Sequence, residues 1–68
     1  MKPIPEKEKR FVKEGKLYCR LFLTKNDKAT EDMDKAVRVE EDFFEAVKQK
    51  DGTFKEGKWL GSRNYSFL

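Results

Sequence analysis

Lys16, Tyr18, Arg20 and Phe22 alternate along one stretch of this 68-residue chain. In an extended strand alternate residues share a face, so two aromatic rings would stand there among two cations. Rings in such a setting stack on unpaired bases while the cations meet phosphates. Trp59, Arg63 and Tyr65 repeat the combination further along the chain and would extend the platform if they faced the same way. The glycine-and-aromatic signature of RNA-recognition sheets is missing. Two other readings of the same residues compete with nucleic acid: the rings cover one another across strands, or the face receives another protein.

Carboxylates are the second group with chemical potential, and seven of them fall between residues 31 and 45. A calcium loop needs oxygens at fixed alternate spacing and a glycine in the turn, and this stretch has neither. A solvated helix face, formed by Asp34, Glu41, Asp42 and Glu45 with Lys35, Arg38 and Lys48, accounts for most of them and could attract a basic partner. Glu40 interrupts the apolar stripe and reads as an edge residue or the partner of a lysine. Cys19 is the one cysteine and histidine is absent. No Cys–His nucleophile, Ser–His pair or zinc set can therefore be assembled. Lys13-Glu14-Gly15-Lys16 has one glycine and a carboxylate where a phosphate would sit, so it is no phosphate loop. The sequence thus predicts no enzyme, no metal site and no cofactor.

Composition narrows the class further. Charged residues make up 43% of the chain, hydrophobic ones 37% and aromatic ones 13%. That is too apolar for a disordered chain, yet leaves material for only a thin core. The net charge of +3 is small for a dedicated nucleic-acid reader. Its distribution is uneven: residues 1–20 carry seven basic and three acidic side chains, and residues 21–50 carry six and eight. A lone cysteine predicts a reducing, cytoplasmic setting. The longest apolar run, Leu21-Phe22-Leu23, is far short of the roughly 20 residues of a membrane span. No apolar stretch follows the charged residues of Met1–Arg10, which predicts no secretory leader.

The elements that would position these residues follow from periodicity. Residues 1–9, with Pro3 and Pro5, read as an extended arm, disordered or not, before a single domain over 10–68. Arg10-Phe11-Val12 and Lys16–Lys25 read as a hairpin about Gly15, with Leu17, Cys19, Leu21 and Leu23 on the core side. Met33, Ala36, Val37, Phe43, Phe44 and Val47 fall at helical spacing. Thr30 stands where an N-cap belongs and Gly52 where a terminal glycine belongs. A short strand over 36–39 followed by a helix from Glu41 is the alternative. The tail reads as a second hairpin, with turns at Lys55–Lys58 and at Gly61–Asn64. The expected fold is therefore α+β in the order β-β-α-β-β, one amphipathic helix packed on a small antiparallel sheet.

On these grounds the expected function is stoichiometric binding of another protein, as an adaptor or inhibitor of the kind phages and mobile elements encode. A single-stranded nucleic-acid or DNA-binding module using the Lys16–Phe22 face is the alternative. A structural subunit of a homo-oligomer is the third reading. The protein is expected to be a monomer or weak dimer with no membrane partner.

Overall fold

The computed structural model describes residues 1–67; Leu68, the end of the predicted domain, lies outside the described residues. Four strands form one antiparallel sheet in the order β1-β2-β3-β4: β1 (Arg10–Lys13), β2 (Lys16–Leu23), β3 (Arg38–Lys48) and β4 (Phe54–Ser66). A single helical turn, α1 (Glu6–Lys9), precedes them. None of the helices among the described residues is long and apolar enough to cross a membrane.

The first hairpin follows from local chemistry. Glu14 and Gly15 link β1 to β2 with φ values of 54° and 78°. A two-residue link with both residues at positive φ matches the right-handed twist of the flanking strands. Val12 then pairs with Leu17 and Arg10 with Cys19.

The expected helix over Met33–Val47 does not form, nor does the alternative helix from Glu41, because Arg38–Lys48 is a strand. The order β-β-α-β-β is therefore incorrect, and so is the solvated helix face assigned to Asp34, Glu41, Asp42 and Glu45. Val39, Glu41, Phe43, Glu45 and Val47 share one side of β3, and Arg38, Glu40, Asp42, Phe44 and Ala46 the other. β-branched and aromatic residues favour this pleated surface, but the carboxylate of Glu41 among them hides the alternation. The supposed helix start is a pair of side-chain turns. Thr30 Oγ1 accepts from the Asp32 N–H at 3.1 Å, and Asp32 Oδ1 from the Asp34 N–H at 2.9 Å. Gly52, at φ 88°, belongs to the β3–β4 turn. The second predicted hairpin is one continuous strand, β4.

Without a helix to cover it, the sheet finds its core elsewhere. Phe22 (6% exposed) and Val39 (0%) pack with Ile4 (5%) and Ala36. The expected core side of β2 is thus corrected in part: Leu17 and Leu23 are buried, but Leu21 is 46% exposed and Phe22 replaces it. Residues 1–9, read from sequence as an extended arm, hold Ile4 in place through backbone bonds. The Ile4 N–H donates to the Glu31 carbonyl at 2.9 Å and the Met33 N–H to the Lys2 carbonyl at 2.7 Å. Lys9 of α1 pairs with Glu31 at 2.6 Å.

Register shifts between Phe43 and Phe44 and between Phe44 and Ala46 let the outer part of the β3–β4 hairpin bend. That part curls back over the face that carries Leu17 and Cys19. Arg10 of β1 consequently reaches β4 at the other edge, donating to the Phe54 carbonyl and to Glu56 Oε1, each at 3.0 Å.

Candidate functional site

The alternation of β2 places Lys16, Tyr18, Arg20 and Phe22 on one face, as their spacing requires, but that face is occupied. Tyr18 stacks on Phe11 of β1, centroids 4.8 Å apart, and meets Phe43 of β3 edge-on at 5.0 Å. Phe22 is core and packs on Phe67, their centroids 6.1 Å apart. Of the four, only Lys16 is exposed, opposite Glu45 in the ladder.

The arginines of this face are paired within the protein. Glu41 of β3 has a fully buried side chain and lies between two arginines. Arg20 Nε donates to its Oε2 at 2.6 Å from one flanking strand, and Arg63 Nε to its Oε1 at 2.7 Å from the other. Arg20 also pairs with Glu8 at 3.2 Å and lies over the Phe11 ring. Burial opposes its charge, yet the Glu41 hydrogen bond and the nearby negative groups outweigh burial and hold its pKa above the ordinary arginine value. Arg63 sits over the rings of Phe43 and Tyr65, 5.5 Å from each centroid. Arg63 and Tyr65 therefore lie on the same face as Tyr18 and Arg20, because residues read from sequence as a polar turn belong to β4. Nothing in the sequence marks Glu41 as the group that neutralises Arg20 and Arg63.

Trp59 is not part of that group. It pairs with Phe44, which pairs with Leu17, so it lies on the opposite face of the sheet. There it is 57% exposed and its indole N–H donates to Asp42 Oδ1 at 3.3 Å. The register shift beside Phe44 sends the next residue, Leu60, to the first face. Leu60 lines a shallow cleft there with Lys16, Tyr18 and Phe43. Leu60, Phe43 and Phe11 were not singled out from sequence; Phe43 had been placed in the core stripe of the helix.

The remaining acidic residues disperse. Asp34 is exposed in the loop before β3, and Glu45 is exposed on β3 near the cleft. Glu40 pairs with Arg38 at 3.6 Å. Among the described residues no group of three or more carboxylate or thiol ligands converges on one point. Cys19 is half-buried beside Arg10 and Glu56, and burial together with the Glu56 charge raises its thiol pKa.

Two exposed apolar side chains, Trp59 and Leu60, thus project to opposite sides of an edge strand. Compared with protein-family models, with curated proteins and with solved structures, the chain matches none.

Proposed function

We propose that this protein acts by binding another protein, through a surface that straddles β4 at Trp59 and Leu60. The observation that carries the reading is the exposure of these consecutive residues, 57% and 45%, on opposite faces of a strand at the sheet edge. Large side chains of this type anchor protein interfaces, where they fill pockets on the partner. The cleft beside Leu60 offers Tyr18 and Phe43 as an apolar floor and Lys16 as a cation, which suits a partner side chain that ends in a carboxylate.

The electrostatics argue for protein over nucleic acid. Two of the exposed aromatics have a carboxylate nearby: Trp59 has Asp42, and the Arg63 beside Tyr65 is bound to Glu41. A phosphate backbone laid on either ring would meet that carboxylate, and both arginines of the face are already bound to Glu41.

The test is affinity capture from native extract with and without nuclease, alongside Trp59→Ala, which removes an exposed group and leaves the core intact. The expected result is a stoichiometric protein partner that survives nuclease and is lost with Trp59→Ala. Submicromolar oligonucleotide binding at physiological salt, measured by fluorescence anisotropy, would overturn the reading.

A further inference from the structure

The connection between β2 and β3 holds a second cleft, of about 440 Å³. Thr24, Lys25, Asn26 and Lys28 line one side, and Asp34, Lys35 and Val37 the other. Val37 is half-buried, while Lys25, Lys28 and Lys35 are exposed around it. Every arginine among the described residues is ion-paired: Arg10 with Glu56, Arg20 and Arg63 with Glu41, Arg38 with Asp27. The three cleft lysines form no such pair among the described residues. Lys35 acts on Asp32 only through its field, helping to lower that carboxyl's pKa. Against these three cations the cleft itself holds one carboxylate, Asp34.

The loop that presents the lysines is fixed by its own bonds. Thr24 Oγ1 accepts from the Asn26 and Lys28 N–H groups, each at 3.3 Å. The Thr24 N–H donates to the Lys28 carbonyl and the Asp27 N–H to the Thr24 carbonyl, each at 2.9 Å. Arg38 of β3 pairs with Asp27, and the Val37 N–H donates to the Leu23 carbonyl at 2.9 Å, which ties the two sides together. A preorganised backbone lowers the ordering cost of binding.

The same bonds select the ligand. Phosphate sites converge backbone N–H groups on the anion, but those of Asn26, Asp27 and Lys28 are spent on Thr24. Single-stranded nucleic acid needs rings on which bases stack, and no aromatic residue lines this cleft among the described residues. What remains is three ammonium groups on flexible aliphatic stems about a valine. That arrangement complements carboxylates spread along an extended chain with an aliphatic side chain between them.

We infer that this cleft receives an acidic segment of a partner protein. An aliphatic side chain of the segment rests on Val37, and the Asp or Glu residues flanking it meet Lys25, Lys28 and Lys35. The cleft shares no residue with the surface at Trp59 and Leu60, so the inference stands apart from that proposal.

Fluorescence anisotropy on the full chain tests it, with a short labelled peptide of Glu and Asp about a central Leu as the probe. Titration from micromolar to millimolar concentration should give saturable binding that weakens as salt is added. The double variant Lys25→Glu, Lys28→Glu should bind about tenfold or more weakly and keep the wild-type circular-dichroism spectrum, because both side chains are exposed. A peptide with Ser in place of Leu should also bind more weakly, and Trp59→Ala should bind the probe as wild type does. No saturable binding at millimolar peptide, equal binding by the double variant, or tighter binding of a labelled single-stranded oligonucleotide overturns the inference. So does displacement of the peptide by an equal concentration of inorganic phosphate. None of these results bears on Trp59-dependent capture of a protein from extract.

Discussion

Arg20 and Glu41 stand directly opposite each other on β2 and β3, with Arg20 Nε 2.6 Å from a carboxylate that is completely buried. Removing one member of a buried charge pair strands the other, which costs about 3–5 kcal/mol, whereas replacing the whole group with apolar residues is often neutral or stabilising. Glu41→Ala should therefore be severely destabilising in urea titration. The triple replacement Arg20→Met, Glu41→Leu, Arg63→Met should return stability to near the wild-type level. Arg63→Ala alone should cost about 1 kcal/mol or less, because its side chain is 58% exposed. Equal costs for Arg63→Ala and Glu41→Ala would contradict this account of the triad.

The corrected core on β2 separates two neighbouring residues. Phe22→Ala removes a ring packed on Ile4 and Val39 and should cost about 3–5 kcal/mol. Leu21→Ala alters an exposed side chain and should fall within about 0.5 kcal/mol of wild type. Chemical denaturation of the two variants decides the matter, and the reverse order would mean that Leu21, not Phe22, is the core residue.

At Gly57, β4 passes close to the backbone of β3. A Cβ at this position would lie 2.8 Å from Val47 Cγ2 and 2.9 Å from the Glu45 carbonyl oxygen. Backbone cannot give way as a flexible side chain does, so Gly57→Ala should cost about 1–3 kcal/mol. The thermal midpoint would fall accordingly. An unchanged midpoint would mean that the bend in the hairpin has more room than these distances allow.

The N-terminal segment should respond to acid. Asp32 accepts the backbone N–H groups of Lys2 and Asp34, and these hold its pKa below the usual 3.8. A carboxylate whose folded pKa is depressed stabilises fully above the unfolded pKa and loses that contribution as pH falls through the folded value. Amide resonances of Lys2 and Asp34 should therefore shift together, with a midpoint below the usual carboxylate value of 3.8. Asp32→Asn should remove the transition, and its persistence in that variant would assign it to another group.

How much could be foreseen differs from residue to residue. The strict alternation of Lys16–Leu23 and the Glu14-Gly15 turn are local features, and both are present as the sequence implies. So is the shared face of Tyr18, Arg20 and Phe22, because a strand fixes side-chain direction residue by residue. The character of that face was a different matter. Glu41 reads as a solvated residue until Arg20 and Arg63, 21 and 22 positions away in the sequence, close on it from the flanking strands. The same carboxylate disguised a strand as a helix, since the helical spacing of Met33–Val47 competes with an alternation that only its two arginines make acceptable.

Sequence alone determined the hairpin, the lack of histidine and of any second cysteine, and the modest positive charge, all of which are local or compositional. Tertiary structure alone decided which face of β2 became core, that Trp59 lies on the opposite face from Tyr18, and that β1 meets the start of β4. Those outcomes turn on the register shifts beside Phe44 and on the reach of Arg10 to Phe54. Both depend on strands distant in sequence packing together, and no local pattern records the energy of that packing.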